Sequence, residues 1–141
     1  MELTLAEAER LADAALGEGR KQGLPPLCVA VLDAGGHLKV VKREDGASFF
    51  RAEVAIGKAW GALAMGESSR HLGERLKDRP AFLGALSDLA QGKMVPVAGG
   101  VLAWRGGELV GAVGISGATS DQDEACALAG LAAAGLSPSK G

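Results

Sequence analysis

Residues 27–42 decide the fold: Leu27-Cys28-Val29-Ala30-Val31-Leu32-Asp33-Ala34-Gly35-Gly36-His37-Leu38-Lys39-Val40-Val41-Lys42. The first six are apolar without a break, the pattern of a strand covered on both faces. Asp33 to Gly36 is turn chemistry, because Asp bonds nearby backbone amides and Gly accepts positive φ. His37 to Lys42 resumes as a strand, so the stretch predicts a β-hairpin. A strand buried on both faces needs cover above and below, and the flanking sequence offers helices for both.

Upstream, Thr4 and Glu7 form a T-x-x-E capping box. Leu5, Ala8, Ala12, Ala15 and Leu16 follow at helical spacing, and Gly23-Leu24-Pro25-Pro26 stops the helix. Downstream, residues 43–47 read as a loop and 48–65 as a helix. Ala52, Ala55, Ala59 and Ala62 give that helix a stripe of small residues, extended by Gly57 and Gly61. Residues 66–79 are polar and read as loop, with room for one helical turn. Residues 80–90 predict a short helix, with Asp78 as its N-cap and Pro80 in its first turn. A second hairpin comprises a strand over 97–104, the turn Arg105-Gly106-Gly107 and an apolar strand over 108–115. A small-residue loop leads to a last helix from Asp121 to about Gly135, capped by Ser120 to Asp123. The tail from Ser137 is expected to fray. The order α-β-β-α-α-β-β-α predicts an α+β fold with an antiparallel sheet. With no linker and no repeat, residues 1–141 are expected to form a single domain.

Composition narrows the function classes. The 141 residues are 48% hydrophobic but only 4% aromatic, so the core must be aliphatic and small. Lys and Arg number 15 against 17 Asp and Glu, which leaves no basic footprint for nucleic acid. The start, Met1-Glu2-Leu3-Thr4, is acidic where a signal peptide needs basic residues. No apolar run approaches the ~20 residues of a membrane span. The expectation is a cytoplasmic protein without a membrane partner. A zinc site would need Cys28, Cys126, His37 and His71 together, at spacings no common zinc motif uses. No metal site is expected, and both cysteines read as buried thiols. His71 sits in a polar stretch and reads as solvated.

Four stretches in chain order carry a resemblance: residues 29–38, Asp45-Gly46-Ala47, Ala55-Ile56-Gly57-Lys58-Ala59, and Gly99-Gly100-Val101 through Gly111-Ala112-Val113-Gly114-Ile115-Ser116-Gly117 to Asp121-Gln122-Asp123-Glu124. Together they resemble the GlcG/HbpS family, which includes the C-terminal domain of PduO-type corrinoid adenosyltransferases. The resemblance implies a profilin-like three-layer α/β/α fold around a five-stranded antiparallel sheet, and assembly into homo-oligomers. It implies a small-molecule ligand: haem or a related tetrapyrrole in several members, with links to haem degradation or iron sensing. Other members accompany glycolate or propanediol metabolism. The fifth strand would be residues 92–96 or a segment read as loop. Haem ligation in the family rests on residues outside the shared motifs, including an N-terminal-helix His in a PduO-type domain. The first helix here has no His, so the resemblance carries over no axial ligand. The family's Gly-Gly-Val-Pro is Gly99-Gly100-Val101-Leu102 here.

The candidate ligand-binding residues are Lys58, Gly99, Gly100, Ser116, Gly117, Asp123 and His37. Lys58 interrupts an apolar helix. It is either a snorkelling lysine or a cation for a ligand's carboxylate or propionate. Ser116 and Gly117 lie between an apolar strand and a helix start, where free amides bind anions or receive caps. Gly99-Gly100 allows close approach of a ligand, or marks a bulge or the start of a strand. His37 is a turn residue bonding locally, or a haem ligand. An enzyme acting on a small organic acid is the alternative, with Lys58 holding the carboxylate and Asp33 or Asp123 carrying a proton. Homo-oligomerisation is also expected from the small-residue stripe of the 48–65 helix and the Ala-rich last helix. Phe49, Phe50, Trp60 and Trp104 are the aromatics that would mark an interface.

Overall fold

Both hairpins form, and they join edge to edge through their apolar strands. The computed structural model describes residues 2–141. Along the chain it contains α1 (Leu5–Lys21), β1 (Cys28–Asp33), β2 (Leu38–Arg43), α2 (Phe50–Met65), α3 (Ser69–Leu76), α4 (Pro80–Leu89), β3 (Gly100–Arg105), β4 (Glu108–Ser116) and α5 (Ser120–Ala133). The sheet order is β2-β1-β4-β3, with each neighbouring pair antiparallel. Among the described residues this sheet has four strands, which corrects the expectation of five.

Alternation along β1 sorts the two covers. Val29 and Val31 join Leu11, Ala15, Ala127 and Leu131 of α1 and α5 in one core. Leu32, Cys28 and Ala30 face α2 on the other side. The result is a helix–sheet–helix sandwich. Helix α2 sits unusually low because the sheet beneath it is almost bare. Ala30 of β1 pairs with Gly114 of β4, which pairs with Gly100 of β3. A Cβ at Gly114 would overlap the Ala55 carbonyl oxygen, and one at Gly100 that of Lys58.

The small-residue stripe of α2 is therefore used within the chain. Ala55, Ala59 and Ala62 are fully buried against the sheet. On a second face, Gly57 lies against Lys93 and Val95, and Gly61 against Met94. Residues 93–95 form a strap across the helix, with the Val95 amide donating to the Gly57 carbonyl at 3.2 Å. This is why residues 92–96 supply no fifth strand: the Val95 amide bonds to α2, and the Gly92 and Lys93 amides bond back to the end of α4, instead of to a sheet edge. The Ala-rich α5 is likewise consumed on α1, where Gly130 meets Ala15 and Leu11.

Other expectations need correction. Residues 69–76, read as loop with room for one helical turn, form the two-turn helix α3: Ser68 accepts from the His71 amide at 3.1 Å, and Leu72 and Leu76 are buried one turn apart. The N-cap of α4 is Arg79, without a side-chain cap bond, not Asp78. The capping box of α5 is Thr119 with Gln122, one residue earlier than expected. The tail is pinned at Ser137, whose amide and carbonyl both bond to Trp104 at the outer edge of β3. The Thr4–Glu7 box of α1 forms as expected. Among the described residues, no helix is long and apolar enough to cross a membrane.

Candidate functional site

Six of the seven candidate residues converge at one end of the sheet. Lys58 projects from α2 and is 2% exposed. Its Nζ donates to Asp123 Oδ2 at 2.9 Å and to the Ile115 carbonyl at 2.9 Å. Asp123 Oδ1 accepts from the Ala118 amide at 3.0 Å, which closes the loop ahead of α5. Burial pushes the Asp123 carboxyl above the usual carboxylate range, outweighing the pull of Lys58. Gly99 leaves room for the lysine: a Cβ there would stand 2.7 Å from Nζ, on a backbone with φ of 130°. Gly100 is anchored by Ser69 Oγ, which accepts from its amide at 2.8 Å. Ser116 is buried, with Arg51 reaching its hydroxyl at 3.5 Å. Gly117 has a φ of 141° and lies against Pro26 and Leu27.

This cluster is a tie between α2, β3, β4 and α5, with its ammonium and carboxylate facing each other. Lys58 does not snorkel; its head group is enclosed by protein. His37 lies apart from it, at the opposite end of β1. Asp33 Oδ1 accepts from the Gly35 and His37 amides at 2.9 and 3.0 Å and lies 3.2 Å from His37 Nδ1. Burial would raise the Asp33 carboxyl, but those amides hold it below its ordinary value. The His37 side chain is 81% exposed, at the mouth of a hollow of about 440 Å³ that also takes in Glu2, Lys39 and Glu108.

A larger concavity lies elsewhere. A groove of about 540 Å³ runs between α2, the edge strand β2 and the strap after α4. Phe50, Val54 and Trp60 form its helix wall, Leu32 and Leu38 its sheet wall, and Gln91, Lys93 and Val95 its strap wall. Phe50 and Leu38 are 62% and 50% exposed, so the groove opens on an apolar rim. Lys93 Nζ stands 5.6 Å from the Trp60 ring centroid, within cation–π range. Gln91 is the one non-glycine residue with positive φ among those described, and it turns the chain from α4 into the strap. The groove's charged lining groups are the Lys93 ammonium and the Glu53 carboxylate, and its apolar walls suit a flat, largely apolar molecule whose acidic group meets Lys93.

The chain matches, over residues 3–132, the family described as "Haem degrading protein HbpS-like". It belongs to the HbpS-like family. Among relatives of this HbpS-like chain is the corrinoid adenosyltransferase PduO of Salmonella typhimurium, 36% identical over 131 residues. That alignment covers 93% of this chain and 38% of PduO, so the chain spans well under half of the curated relative. Among solved structures, the PduOC:heme complex matches with a TM-score of 0.88 at 32% identity, covering 98% of this chain and 99% of the other. The structure of HbpS matches with a TM-score of 0.82 at 34% identity, covering 94% and 89%. The α+β architecture with its antiparallel sheet is thus that of the HbpS-like fold.

Sequence reasoning marked Phe50 and Trp60 only as interface aromatics and did not mark Lys93, Gln91 or Leu38. The available signal was the scarcity of aromatics: with no Tyr and two Trp, an aromatic on the outer face of α2 is informative. Lys93 carries no comparable signal, because only the strap's passage over Gly57 brings it to the groove.

Proposed function

We propose that this protein is a small-ligand-binding module for haem or a related tetrapyrrole, and that the groove over α2 is its binding site. One observation carries the reading: an open apolar groove of about 540 Å³ with an ammonium at its rim, in a chain of the HbpS-like family. The volume falls within the roughly 300–1,000 Å³ range of ligand sites. The solved relative in complex with heme supports the ligand class. The walls fit the faces of a macrocycle, and Lys93 fits its carboxylates. The donor set does not fit iron ligation, because no His, Cys, Met or Tyr lines the groove.

Titration with haemin tests the proposal. A saturable, stoichiometric Soret change at micromolar haemin is expected, and it should survive in His37→Ala. Absence of any saturable change in the wild type would overturn it. Homo-oligomerisation forms part of the same proposal, now on different grounds. Phe49 is 81% exposed at the start of α2, and Phe82 and Leu89 are exposed on α4, a helix with no buried residue. Light scattering after size exclusion is expected to give a multiple of the 14.2 kDa chain mass. The cytoplasmic setting belongs to this reading as well.

A further inference from the structure

Resting on the groove as the binding site, we infer that this protein recognises a tetrapyrrole by its ring and its carboxylates, not by its metal. Iron in a macrocycle is captured by a lone pair from imidazole, thiolate, thioether or phenolate, held over the ring plane. The groove presents none of these. Its charged lining groups are Lys93 and Glu53. An ammonium has no lone pair to give, and a carboxylate is a poor partner for haem iron beside imidazole or thiolate. Neither of the chain's two histidines is a lining residue. His37 stands between the lining residues Gly36 and Leu38, but its exposed ring is turned to Asp33, with Nδ1 3.2 Å from Oδ1, and His71 Nδ1 faces Glu67 Oε1 at 3.6 Å on α3. Both cysteines are buried, and neither lines the groove.

What the groove offers is surface, one cation at Lys93 and one carboxylate at Glu53. Trp60 and Phe50 line the groove with aromatic side chains, against which a flat aromatic ligand can pack. Leu38 and Leu32 close the opposite side. Lys93 Nζ stands 5.6 Å from the Trp60 ring centroid, which puts the ammonium beside the aromatic wall. From there it can meet a propionate that projects from a stacked macrocycle. Nothing in this geometry depends on the metal. Metal-free porphyrin and haemin are expected to bind alike, and neutralising the carboxylates should cost more than removing the iron.

The test uses Trp60 as reporter in the full chain carrying Trp104→Phe, checked by thermal melt to be folded. Fluorescence quenching is followed with haemin, with protoporphyrin IX and with its dimethyl ester. Haemin and the free-acid porphyrin should agree within about threefold. The ester should bind about fivefold more weakly, the scale of one exposed ion pair. Lys93→Ala should abolish that acid–ester difference, the two forms then binding alike. Haemin binding tenfold or more tighter than the metal-free ring would overturn the inference and leave the groove as a haem site. An acid–ester difference that survives in Lys93→Ala would equally overturn the role given to Lys93. Failure of all three to quench would instead remove the proposed function itself.

Discussion

Lys58 on α2 and Asp123 on α5 come from opposite faces of the sheet and meet at 2.9 Å, each at most 3% exposed. The pair forms because Gly99 and Gly100, where the chain enters β3, leave room for the lysine. The consequence is that this charge pair fastens the two outer layers to each other. Removing one member leaves the other buried without a counter-charge, which costs about 3–5 kcal/mol. Lys58→Met and Asp123→Leu are each expected to lower stability by that amount in urea denaturation. The double variant should lose clearly less than the sum, because it leaves no isolated charge. Strict additivity would show that the two side chains are not coupled.

Acid sensitivity should reside in part at the start of α1. Two hydrogen bonds from Arg105, at 2.8 and 3.0 Å, hold the Glu7 carboxyl down to about 2. A carboxyl depressed on folding contributes stability that is complete above its unfolded value near 4.5. That contribution fades as pH falls toward about 2. Glu7→Gln removes the ion pair yet keeps a capping residue, as Gln122 does at α5. Urea midpoints measured from about pH 7 to about pH 3 should therefore fall less steeply in Glu7→Gln than in the wild type. Parallel curves would contradict this assignment.

The physical basis of these contacts explains what the sequence discloses. Capping at Thr4, both hairpin turns and the apolar runs of β1 and β4 are local patterns, and each appears within a residue or so of its expected place. The signature residues Lys58, Gly99, Gly100, Ser116, Gly117 and Asp123 were legible as a group. Their common purpose was not, because an ion pair across 65 positions leaves no local trace. Helix α3 was hidden by its polarity: among its apolar side chains only Leu72 and Leu76 face inward in an eight-residue segment. The groove was hidden for a related reason. Its walls come from three separate segments, and the strap reaches α2 only through close passage over Gly57 and Gly61.

The cysteines offer a direct check on burial. Desolvation pushes the thiols of Cys28 and Cys126 up to about 11, since both lie in the apolar interior. Only the thiolate reacts readily with disulfide reagents. At about pH 8 the native protein should consume almost no Ellman's reagent over minutes, and both thiols should react on addition of denaturant. Rapid titration of either thiol in the native state would place it nearer solvent than the structure does.

Glycines sort into two classes whose substitutions should act in opposite directions. At Gly114, a methyl group would enter the Ala55 carbonyl oxygen and crowd the Ala59 amide, both part of the α2 backbone. Backbone in the middle of a helix cannot yield locally, so α2 would have to lift from the sheet. Lifting it strips contacts from Ala55, Ala59 and Leu32 together. Gly114→Ala is accordingly expected to cost at least the roughly 1–3 kcal/mol typical of overpacking. Gly17 and Gly84 lie inside α1 and α4, with nothing within 4 Å of the place an added methyl group would take. There the folded state accepts Ala freely, while the unfolded chain loses backbone freedom. Gly17→Ala and Gly84→Ala should each raise stability by about 0.5–1 kcal/mol. Denaturation midpoints for the three variants decide the matter. A stabilising Gly114→Ala would mean that α2 does not rest on the bare strip of β4 and β3. Neutral results at Gly17 and Gly84 would mean that those helices are already frayed where they carry glycine.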